Sequence, residues 1–106
     1  MPSLKNIASF ALVAGLFIPA LTTTQAQASK RVVCGCWKTA YDYGQRRMGS
    51  ETRQYRSGYR TCSSLGYYHG KAWIDGWRAG RNDRLNKGFY TGRNCRYFFS
   101  RNPNAR

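Results

Sequence analysis

Ala72-Trp73-Ile74-Asp75-Gly76-Trp77-Arg78 echoes, 32 residues later, Ala40-Tyr41-Asp42-Tyr43-Gly44-Gln45-Arg46. Alanine, an aromatic ring, glycine and arginine recur at matched positions. On a helix, Ala40, Gly44 and Met48 share one face, as do Ala72, Gly76 and Gly80, because residues four apart stack along the same side. Small residues at that spacing let two backbones approach closely, while the rings beside them cover the seam. Glycine costs ~1 kcal/mol in a helix interior, so the pattern predicts a close helix–helix contact that compensates. The competing reading has Gly44 and Gly76 ending shorter helices or sitting in turns. One echo does not make a repeat protein.

Outward from this pair, Trp37 to Met48 reads as a helix closed near Gly49. Ser50 is placed to cap a second helical stretch from Glu51 to about Arg60, which Gly58 weakens toward a strand. Cys62-Ser63-Ser64 reads as a break and a further cap, and Leu65 to about Arg81 as the longest helix. Ser29 to Cys36, with β-branched Val32 and Val33, reads as a short extended lead. Asn82 to Asn94, holding Asn86, Gly88 and Gly92, reads as a loop. Cys95 to Phe99 alternates and is aromatic, which predicts a short strand. Asn102 to Arg106 reads as a frayed tail. The expected fold class is mainly α: a small disulfide-stapled domain of two or three short helices, with a short strand near the C-terminus.

The first 28 residues carry the layout of a secretory signal peptide: Lys5, an apolar run from Ile7 to Leu21, then Ala26-Gln27-Ala28. The apolar run is short of the ~20 residues needed to span a bilayer. Residues 1–28 are therefore expected to be removed before Ser29, leaving 29–106 as one small cationic domain with no membrane span, secreted or periplasmic. That remainder has 78 residues, and its 17 basic against 4 acidic residues leave +13. Its large aliphatic residues are only Val32, Val33, Met48, Leu65, Ile74 and Leu85, against 14 aromatic ones. The core must be built from rings, and a body of this size is marginal on apolar burial alone.

Cys34, Cys36, Cys62 and Cys95 answer that weakness. In an exported chain an even set reads as disulfides. Pairing Cys34 with Cys36 would close a very small ring across Gly35, so one of these two is expected to pair with Cys62 and the other with Cys95, in either order. A redox pair or a metal clamp are the competing readings, but one C-x-C with two lone cysteines lacks the paired C-x₂-C spacing of zinc sites. No metal and no small-molecule cofactor are expected.

Trp73-Ile74-Asp75-Gly76-Trp77-Arg78 resembles the W-x-x-G-W-R stretch of ribosome modulation factor, a small basic two-helix family. The resemblance covers six residues. An export signal and four cysteines do not suit a cytoplasmic ribosome binder, and nothing is carried over from it.

Arginine dominates the charge. Arg53, Arg56 and Arg60 share a face if their segment is helical. Arg78, Arg81 and Arg84 follow near the end of the long helix. Tyr55, Tyr59, Tyr67 and Tyr68 interleave with them. Guanidinium forks suit phosphate, sulfate and carboxylate, and tyrosine adds stacking and a hydroxyl. These six arginines are the expected polyanion-binding residues, for an anionic polymer, nucleic acid or anionic membrane surface. A protein partner recognised by shape is the alternative; so is charge that serves only solubility. Catalysis is bounded by scarcity. Glu51 as base, His69 as acid and Arg53 on phosphate would be a ribonuclease set, but nothing in their spacing favours it. No catalytic residue is assigned.

Overall fold

The computed structural model of the chain describes residues 18–85 and 91–105, with side chains from residue 29 onward. Residues 1–17, holding Lys5 and most of the apolar leader, and 86–90 of the expected loop lie outside the described residues. Four helices are described: α1 (Ile18–Gln45), α2 (Arg53–Leu65), α3 (Tyr67–Leu85) and α4 (Arg96–Arg101), and no strand occurs among the described residues.

The fold is mainly helical, as the sequence predicts, but several element bounds differ. Ser29 to Cys36 is not an extended lead; it belongs to α1. Val33, Cys36, Trp37, Ala40, Tyr41 and Gly44 are all buried on it. That i, i+3, i+4, i+7 spacing outweighs the strand preference of two valines. α1 ends at Gln45 rather than Met48. Arg47 takes the left-handed conformation at φ 65°, and the amides of Arg47 and Met48 return to the carbonyls of Gly44 and Tyr43 at 3.3 and 3.0 Å. This paired closure is a Schellman motif, with arginine where glycine is usual.

Thr52, not Ser50, caps α2: its Oγ1 accepts from the Tyr55 amide at 3.2 Å. The expected break at Cys62-Ser63-Ser64 does not occur. Ser64 Oγ donates to the Thr61 carbonyl at 2.6 Å, and the helix runs on to Gly66, whose φ of 157° few other residues adopt. Cys95 to Phe99 is likewise not a strand. Phe98 is fully buried, and the Asn102 side-chain amide donates to its carbonyl at 2.8 Å, which closes one short helix.

α1 and α3 form the centre and run in the same direction, since Gly76 lies against Trp37 and Gly80 against Tyr41. A Cβ on either glycine would fall 2.1 Å from the facing carbonyl oxygen. Gly44 is as tightly placed, 2.3 Å from the Trp77 carbonyl oxygen by the same measure. The small-residue seam read from the echo is therefore a backbone-to-backbone contact. α2 runs antiparallel to both, with Gly58 giving room to the Trp73 ring. Rings fill the space: Tyr43 and Tyr55 meet Trp73 edge-on at 5.3 and 5.8 Å, and Trp37 stacks on Tyr41 at 5.3 Å.

The cysteines pair as Cys34–Cys95 and Cys36–Cys62, with Cα separations of 5.6 and 6.2 Å. Residues two apart on a helix point to nearly opposite sides. The C-x-C pair thus sends one bridge to α4 and the other to α2, pinning both to α1.

Candidate polyanion-binding face

Only four carboxylates exist in the chain, and three are consumed by the scaffold. Asp83 is buried and accepts from Tyr41 Oη at 2.6 Å and from the amides of Thr91 and Gly92 at 2.9 and 2.8 Å. It fastens the segment after α3 back onto α1. Asp75 accepts from Trp37 Nε1 at 3.0 Å and pairs with Arg101 at 2.8 Å. Asp42 takes a bidentate fork from Arg93, at 2.8 and 3.1 Å. Glu51 alone stands exposed, in the turn before α2.

The six expected arginines divide. Arg53, Arg56 and Arg60 are exposed along one stripe of α2, and Arg78 and Arg81 are exposed on α3. None of these five is in an ion pair among the described residues. The Arg81 guanidinium lies 5.7 Å over the Trp77 ring, which leaves its edge to solvent. Arg84 differs: it is half-buried, and its Nε donates to the Gly44 carbonyl at 3.0 Å, tying α3 to the end of α1.

The tyrosines divide too. Tyr55 is buried between Trp73 and Trp77, and burial raises its phenol above the ordinary value, against the opposing pull of Arg78. Tyr68 packs against the core. Tyr59 and Tyr67 face outward and line a groove between α2 and α3 together with Ser63, Lys71 and Ile74. A second hollow, bounded by Arg56, Tyr59, Arg60 and Ser63, adjoins it along α2. The two hollows bring Arg56, Arg60 and Lys71 together around the two tyrosines, while Arg53 continues the α2 stripe and Arg78 and Arg81 stand exposed further along α3, with no carboxylate on either stripe. Lys71 went unread in the sequence. Its signal is the Tyr67, Lys71, Ile74, Arg78 spacing, a single stripe of α3.

The ribonuclease set is not brought together. Glu51 precedes α2 and His69 follows it, so the 13-residue helix separates them by about 20 Å. His69 is buried, its Nδ1 has no partner among the described residues, and desolvation lowers its pKa below 6.5. No metal-holding group of His, Cys, Asp or Glu occurs among the described residues, and no described helix is long and apolar enough to cross a membrane.

Comparison of the chain with known protein families, with curated proteins and with solved structures finds no match. The class that fold and surface define is a disulfide-stapled helical domain with an arginine-rich outer face.

Proposed function

We propose that this protein is an exported cationic binding module that engages anionic polymers or surfaces through the α2–α3 face. The observation that carries this reading is the division of charge. The aspartates turn to structural partners, while Arg53, Arg56, Arg60, Lys71, Arg78 and Arg81 stand exposed on α2 and α3 with no ion pair among the described residues. Anion forks and tyrosine hydroxyls there match phosphate and sulfate chemistry. Arg84 serves the scaffold and is left out of the binding set.

Heparin and single-stranded nucleic acid are the direct probes. With about six phosphate or sulfate contacts, affinity falls roughly 10³-fold between ~50 and ~200 mM salt through counterion release. Arg56→Glu with Arg60→Glu abolishes binding at the higher salt, whereas Arg93→Gln, on the other side, leaves it intact. Salt-insensitive binding, or none even at low salt, overturns the proposal. A neutral protein partner captured at high salt would favour recognition by shape instead.

A further inference from the structure

Among the described residues the exposed large apolar side chains are Val32, Tyr59, Leu65, Tyr67 and Leu85; Leu85 stands apart at the far end of α3, and the most exposed are Leu65 at 55% and Tyr67 at 74%. Leu65 is the last residue of α2 and Tyr67 the first of α3, so Gly66 separates two protruding side chains at one tip of the bundle. Val32 joins Leu65 in a mostly apolar groove of about 400 Å³ between α1 and α2, floored by Trp73 and the Cys36–Cys62 bridge. Tyr59 joins Tyr67 in the groove on the other flank of α2. Cations surround this tip: Lys71 Nζ lies 5.8 Å over the Tyr67 ring, and Arg56 and Arg60 border Tyr59.

We infer that the α2–α3 tip docks onto an anionic lipid bilayer. Leu65 and Tyr67 enter the interfacial zone, and Arg56, Arg60 and Lys71 contact headgroup phosphates. The inference rests on the polyanion-binding reading and narrows it. A nucleic acid or sulfated glycan would satisfy the arginines but give no burial to Leu65 or Val32, whereas a bilayer satisfies both, and tyrosine favours the boundary between them.

The test uses the protein without residues 1–28 and vesicles of phosphatidylcholine, with and without one-quarter phosphatidylglycerol. Wild type sediments with the anionic vesicles and not with the neutral ones. The double variant Val32→Ser with Leu65→Ser, both exposed positions, weakens vesicle binding by at least ~10-fold and leaves heparin affinity unchanged. A Tyr67→Trp variant shifts its emission to the blue on anionic vesicles, and lipids brominated near the headgroup quench it. Equal vesicle binding by the double variant and wild type, or an unshifted Trp emission, overturns tip insertion while leaving polyanion binding standing. Failure of wild type to bind either heparin or anionic vesicles overturns both.

Discussion

Gly76 lies so close to Trp37 that a methyl group added to it would sit 2.1 Å from the Trp37 carbonyl oxygen and 2.8 and 2.9 Å from the neighbouring backbone carbons. The obstruction is backbone, not a side chain that can swing aside. Gly76→Ala should therefore destabilise by about 2–3 kcal/mol despite alanine's better helix propensity, and Gly76→Leu by more. Thermal unfolding checks this: the alanine variant should melt at least ~8 °C below wild type. An unchanged or higher melting temperature would mean that α1 and α3 do not meet here.

Asp83 gathers three donors, from Tyr41, Thr91 and Gly92, and two of them belong to the segment that follows α3. Replacing it with alanine leaves the Tyr41 hydroxyl without its shortest partner and frees both amides. A cost of about 3 kcal/mol is expected, in line with hydrogen bonds to a charged, buried acceptor. Amide exchange separates this from general weakening: Thr91 and Gly92 should lose protection far more than residues at the centre of α3. Uniform loss would refute the fastening role.

The two bridges close spans of 61 and 26 residues. Chain entropy assigns them about 4 and about 3.5 kcal/mol, together comparable with the whole stability of a small domain. Reduction should therefore unfold the protein near 37 °C, and the intact protein should be four hydrogens lighter than the reduced one. The single-bridge variants differ in kind. Without Cys34–Cys95, α4 and Phe98 should open first, whereas losing Cys36–Cys62 should release α2. A reduced protein with unchanged circular dichroism would show that the aromatic core suffices.

The central packing was legible in the sequence because small residues four apart have few other uses, and the even cysteine set left few pairings. The N-terminal half of α1 was not. Val32-Val33 alone suggests a strand, and only the run through Cys36, Trp37, Ala40 and Tyr41 shows that Val33 begins a helical face. The segment after Cys95 misled in a similar way, since its alternating rings hide a four-residue spacing from Phe98 to Asn102. Arg84 looked like its neighbours Arg78 and Arg81 because its role depends on the Gly44 carbonyl, a group no side-chain pattern reveals. The candidate surface was half visible: the α2 arginines could be placed on one stripe and Lys71 had a signal in the α3 spacing, but the outward turn of Tyr59 and Tyr67 emerges only once α2 and α3 are set side by side.

His69 gives the protein a pH dependence whose sign follows from burial. Its ring is buried against Gly66, no partner satisfies Nδ1 among the described residues, and desolvation disfavours the charged form. The folded state therefore binds a proton less readily than the unfolded chain, whose histidine titrates near 6.5. Between that value and the lower folded one, the unfolded state holds more protons, so stability rises with pH there and is lost as pH falls. Melting temperature should be flat above about pH 7.5 and decline between about pH 6.5 and 5. His69→Gln should flatten that decline, even where the substitution lowers stability at neutral pH. A wild-type profile that stays level, or improves, on acidification through this window would show that the imidazole is solvated when protonated, and would place it outside the core.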